Sequence, residues 1–124
     1  MKKYGRNIKY AVVLMVILMA MIGCSSGPAY EAEITAEGAV HEDKVVLHLT
    51  VTEGEQPVSG LDIKGILEMR RMDHGIIEVH FVETEAGTYR GEAQLPMGGE
   101  WIATLQIDNG QEHVRQIVEF EVMD

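Results

Sequence analysis

The sequence predicts an all-β protein, an immunoglobulin-like antiparallel β-sandwich of about seven strands, preceded by an N-terminal segment that lies outside the fold. Three observations carry that prediction. From residue 31 onward apolar residues recur at every second position, in short runs broken by Gly, Pro, Asn and Asp. No segment of this region sustains a 3.6-residue period. The remaining length, about 100 residues, is enough for one domain and not two.

Residues 1–23 hold four basic groups, Lys2, Lys3, Arg6 and Lys9, and no acid. An unbroken apolar run of 13 residues follows at 10–22. As a helix it would span roughly 20 Å, short of the ~30 Å hydrocarbon core of a bilayer. The pattern therefore reads as a secretory signal rather than a transmembrane anchor. Met21-Ile22-Gly23-Cys24 then resembles the bacterial lipobox: an aliphatic residue, a small or aliphatic one, Gly or Ala, then Cys. Met21 stands where Leu is commonest and is close to it in size. Ser25-Ser26-Gly27 is a polar tether.

This resemblance implies a lipoprotein signal peptide at 1–23, a lipidated tether at 24–30 and a sandwich domain at 31–124. Cys24 becomes the mature N-terminus and carries a diacylglycerol thioether. Each buried CH₂ contributes about 0.8 kcal/mol, so two or more palmitate-class chains are needed for a lasting anchor. The first expected partner is thus the cell membrane, with the domain on its extracytoplasmic face.

The strands follow in order. Val45, Leu47, Leu49 and Val51 share one parity, opposite Val46, His48, Thr50 and Thr52, which marks a half-buried strand. Gly54-Glu55-Gln56-Pro57 breaks the pattern. Leu61, Ile63, Leu67 and Met69 form the next row, with Gly65 within it, and Asp73-His74-Gly75 is a turn signal. Ile77, Val79 and Phe81 resume the alternation. Tyr89, Gly91, Ala93 and Leu95 follow, closed by Pro96-Met97-Gly98-Gly99. Trp101, Ala103, Leu105 and Ile107 lead into Asp108-Asn109-Gly110, where Asn-Gly suits a hairpin turn. Val114, Val118, Phe120 and Val122 complete the set, with Gln116 interrupting their face. The expected strands lie near 31–37, 44–52, 61–69, 76–83, 88–95, 100–107 and 113–122. Tyr89 and Trp101 each enter a strand from a tight turn, and either suits the aromatic corner that pins such sandwiches. Trp101 is preferred, because its strand leads into the final hairpin.

Charge narrows the function classes. Residues 24–124 carry all twenty acids and six bases, a formal charge of −14. No basic face is left to neutralise phosphates, so a nucleic-acid partner is excluded. The single cysteine excludes a disulfide framework and a Cys-rich metal site. Catalysis finds no support either. Cys24 is expected to be acylated, Ser59 sits in a turn with no His or Asp signature, and no Gly-rich phosphate loop opens a helix.

At Met69-x-x-Met72-Asp73-His74-Gly75, Glu85-x-Gly87-x-Tyr89-x-Gly91 and Leu95-Pro96-Met97-x-Gly99-x-Trp101, the chain resembles the YtkA-like/FixH-like domains. These are small extracytoplasmic sandwiches often carried by bacterial lipoproteins, and the resemblance covers roughly residues 31–122. It implies a binding or accessory role, with copper handling or oxidase maturation as its sharpest version.

Met72, His74 and Met97, with Met69 as a further candidate, are the grouping with ligand logic. Thioether sulfur and imidazole suit Cu(I), a soft ion. The alternative is that Met69 closes a core row, Met72 fills a gap and His74 is a polar turn residue. Arg70 and Arg71 depart from the family's pattern and put two cations beside the site. His48 and His80 fall on the outward parity, and His41 and His113 at strand ends or loops. Glu31, Glu33, Glu37, Glu42 and Asp43 read as a solvated acidic face. The rival to copper is a metal-free interaction module that presents a sheet edge to a membrane protein complex.

Overall fold

The computed structural model describes residues 2–20, 29–40, 44–71 and 75–124. Among the described residues one helix is present, α1 (Lys2–Ala20), and all other elements are strands. They are β1 (Tyr30–Glu37), β2 (Val45–Glu53), β3 (Gln56–Pro57), β4 (Asp62–Met69), β5 (Ile77–Glu85), β6 (Thr88–Ala93), β7 (Gly99–Asp108) and β8 (His113–Val122). Seven of these match the seven expected strands to within two residues at each end. The eighth, β3, falls in what the sequence presented as a break.

Strand order is β1-β2-β6-β5-β4-β7-β8, with β3 beside β2, and every strand pair is antiparallel. One layer, β1-β2-β6, and the other, β4-β7-β8, follow the A-B-E and C-F-G order of an immunoglobulin sandwich. β5 belongs to both. Its first half pairs with β4, through Leu67↔Ile77 and Ile63↔Phe81, and from Val82 onward it pairs with β6. The outer edges also approach each other. β1 packs along β8, and beyond them Ala39 forms a parallel bridge with Met123. There the Val40 N–H donates to the Met123 carbonyl at 3.3 Å. The sandwich is therefore nearly closed into a barrel.

The two-residue alternation of the sequence becomes an interior of one chemical kind. Val45, Leu47, Leu49 and Val51 of β2 and Trp101, Ala103, Leu105 and Ile107 of β7 are all buried, facing each other from opposite layers. Among the described residues no polar or charged residue is buried. Burial of apolar area, at roughly 25 cal/mol per Å², is thus what drives the two layers together.

The passage of β5 between the layers depends on two missing side chains. A Cβ at Gly65 of β4 would lie 2.9 Å from Phe81 Cε2. A Cβ at Gly91 of β6 would lie 2.5 Å from Val79 Cγ1 and 3.1 Å from Phe81 Cδ1. The Phe81 ring therefore rests on bare backbone in both layers, which lets β5 cross from one to the other.

One turn differs from expectation. Gly54 and Glu55 both adopt positive φ, +54° and +70°, and join β2 to β3 as a two-residue hairpin. Such primed turns match the right-handed twist of the strands. At the other end the expected hairpin forms: Asp108 pairs with His113, so the β7–β8 loop has four residues. Asn109 works there through its side chain: Oδ1 accepts from the N–H groups of Gln111 and Glu112 at 2.9 and 2.7 Å. Its Nδ2 donates to Tyr30 Oη at 3.2 Å, tying the hairpin to the start of β1.

Gly91→Ala should cost about 1–3 kcal/mol in urea denaturation, the usual penalty for overpacking a tight core. Adding Val79→Ala should recover part of the loss, because Val79 Cγ1 is the nearest obstacle. Equal stability of Gly91→Ala and the wild type would show that the close approach is not a constraint.

Candidate functional site

Two of the sulfur ligands expected from sequence, Met69 and Met97, lie at the end of the sandwich where β4 stops and β7 begins. Met69 is the last residue of β4, half-buried against the core and in register with Trp101. Met97 sits in the loop between β6 and β7 and is 39% exposed. Its position is set by the corner beside it, since Trp101 Nε1 donates to the Met97 carbonyl at 3.1 Å. Trp101, 1% exposed, is thus the aromatic corner, anchored four residues back at the entry to β7.

Met69 and Met97, 28 residues apart in sequence, line one open concavity of about 320 Å³ together with Arg71, Gly98, Gly99 and Glu100. Met72 and His74 fall outside the described residues, as does Cys24. The two arginines between the methionines separate. Arg70 turns outward, with Nη1 3.4 Å from Glu119 and 3.9 Å from Glu100, whereas Arg71 lines the concavity. Two thioethers are a soft, weakly basic pair, suited to a soft ion or an apolar side chain. Among the described residues no group of three or more His, Cys, Asp or Glu side chains is placed to hold a metal ion.

The histidines lie elsewhere. His48 Nε2 is 2.7 Å from Glu37 Oε2 on the neighbouring strand, and His113 Nδ1 is 3.4 Å from Asp108 Oδ2. His80 faces outward, where it shares a concavity of about 430 Å³ with Asp62, Lys64, Gln106, Asp108, His113 and Arg115. Glu31, Glu33 and Glu37 are exposed along β1. Glu42 and Asp43, like His41, lie outside the described residues.

Tyr89 serves a purpose that its motif only hinted at. Its hydroxyl donates to the Val58 carbonyl at 2.8 Å and accepts from the Leu61 N–H at 3.2 Å, so it clasps the β3–β4 connection from β6. Burial pushes its pKa up. Beside it, the Gly60 N–H donates to Glu83 Oε1 at 3.2 Å. That bond, outweighing the cost of burial and aided by Ser59, Gly87 and Tyr89, holds the Glu83 carboxyl below its ordinary pKa of 4.5. These contacts fix the connection and leave the concavities untouched.

A family model described as YtkA-like matches residues 28–106, well over half of the chain. The chain belongs to the YtkA-like family. The match covers both Gly-x-aromatic turns and the methionine segment, and the family's resemblance seen in the sequence is thereby upheld. No curated protein and no solved structure matches the chain. Sequence reasoning missed one feature of the YtkA-like domain, the outer face of β4-β7-β8. Its residues alternate with the core rows and were visible, but which of them sit side by side is set by strand register.

Glu83→Gln checks the clasp. A carboxyl with a lowered folded pKa contributes stability above its ordinary pKa of 4.5 and loses it as pH falls through the folded value. The advantage of the wild type over Glu83→Gln should therefore be full at about pH 6 and reduced near pH 3 in urea denaturation. The same difference at both pH values would show that the carboxylate does not hold the loop.

Proposed function

We propose that this protein is a lipoprotein held on the extracytoplasmic face of the cell membrane through Cys24. Its YtkA-like sandwich is a non-enzymatic accessory domain that handles Cu(I) at its sulfur end. The observation that carries the copper reading is the convergence of Met69 and Met97 on one open concavity, which Arg71 also lines. Thioethers are among the few protein ligands that favour Cu(I) over Zn²⁺ or Ca²⁺. Arg71 in the same concavity opposes a cation and would keep affinity moderate, which suits transfer rather than storage.

The anchor reading draws on α1. Ile8, Val12, Val13, Leu14, Met15 and Val16 are each more than half exposed, so the helix presents apolar surface around its circumference. Among the described residues no helix is long and apolar enough to cross a membrane. An apolar helix of this kind, followed by Met21-Ile22-Gly23-Cys24, fits a leader that export machinery recognises and removes.

Cys24→Ser should abolish incorporation of labelled palmitate and leave unprocessed precursor. Lipidation of that variant would refute the anchor. For copper, titration under reducing conditions against a chromogenic Cu(I) chelator should show binding. Met97→Leu, which keeps side-chain volume, should weaken it about tenfold without changing the fold. Arg71→Ala should tighten binding and Arg70→Ala should not, because Arg70 is engaged by Glu119 and Glu100. No Cu(I) binding by the wild type would end the copper reading and leave a metal-free interaction module.

A further inference from the structure

The outward face of β4-β7-β8 has a pattern that complements itself. Cross-strand register sorts it into rows. The central row is Ile66–Thr104–Ile117, with Ile117 67% exposed. One step toward the Trp101 end lies Glu68–Ile102–Glu119, and one step the other way lies Lys64–Gln106–Arg115. An uncharged centre is thus flanked by acids at both edges on one side and by bases at the same edges on the other. Within one copy Lys64 pairs with Glu78 and Glu119 with Arg70, both at the protein surface. Among the described residues Arg115 forms no ion pair.

We propose that this face joins two copies of the chain, related by a two-fold axis that crosses the strands at the Thr104 row. That operation lays each strand antiparallel over its own counterpart. Glu119 then faces Arg115 of the second copy, Glu68 faces Lys64, and the Ile66, Thr104 and Ile117 rows meet each other. The next rows out follow the same rule at their edges, Arg70 meeting Asp62 and Glu121 meeting His113, while Glu100 and Asp108 at their centre repel. An axis along the strands would instead set Glu68 over Glu119 and Lys64 over Arg115, so the charge pattern selects one orientation. The concavity around Lys64, Gln106 and Arg115 provides room for the partner's Glu68 and Glu119 side chains.

Three strands at ~4.8 Å by five rows at ~6.8 Å cover on the order of 500 Å² per copy, near the lower limit for a specific interface. The dimer is accordingly weak, with a Kd in the micromolar range. Repulsion between two strongly acidic bodies is screened over a Debye length of about 8 Å at physiological salt, whereas the close pairs are not.

Sedimentation equilibrium of the full chain, in a non-ionic detergent that covers α1 and at physiological salt, tests this. The wild type should associate reversibly between about 10 and 500 µM. Arg115→Glu and Glu119→Arg should each weaken association at least tenfold, since each sets like charges face to face. An equimolar mixture of the two variants should associate as well as the wild type, because every Arg then meets a Glu. That rescue cannot come from contacts made by α1, and it shows that both variants are folded. A wild type that stays monomeric at 500 µM, variants that associate as well as the wild type, or a mixture no tighter than its parts would each overturn the proposal.

Discussion

The architecture turns on the contact of the Phe81 ring with the bare backbone of Gly65 and Gly91. Loops carry the chain between the layers at β3–β4 and β6–β7, and a single strand also joins them by hydrogen bonds in mid-course. β5 can be hydrogen-bonded to β4 at one end and to β6 at the other only if both neighbours come close to it. A side chain on either glycine would push a layer away. Everything that faces inward, from the β2 row to the β7 row, takes its spacing from that seam.

Where a pattern depended on one strand alone, the sequence was legible. Val45, Leu47, Leu49 and Val51 announce their strand because alternation is a property of a single extended chain, and the same holds for Trp101, Ala103, Leu105 and Ile107. Trp101 as the corner could be read from the tight turn before it. What depended on pairing could not. Glu55 at positive φ gives no compositional sign of a primed turn, so β3 looked like a break. Asn109-Gly110 could be read as a hairpin turn, but the Asn side-chain bonds that hold its four-residue loop are settled only once strand ends meet. The candidate copper site divides along the same line. Met69 and Met97 were named from residue type, but their shared concavity and the separation of Arg70 from Arg71 follow from the close of β4 against the start of β7.

The division of labour between the two sides of each strand is unusually clean. Inside there are aliphatic side chains and five aromatic residues, with the Tyr89 hydroxyl and the Trp101 N–H satisfied at the periphery. Among the described residues all charge lies outside, where exposed pairs such as Lys44–Glu92 and Lys64–Glu78 contribute little to stability. Outward residues are therefore free to vary without cost to the fold, and the outer face is where binding properties can be written.

The meeting of the first strand with the last has a consequence for how the chain is made. β8 supplies Val118, Phe120 and Val122 to the core, pairs with β7 along its whole length and lies against β1. A growing chain that has not reached residue 113 exposes the open edge of β7 and an incomplete core beside Trp101. No N-terminal fragment is a finished sandwich, and the loops that must close are nearly as long as the domain itself, which slows folding. Folding is thereby postponed until synthesis is almost done, and for that interval the chain remains extended enough to be threaded through a narrow pore.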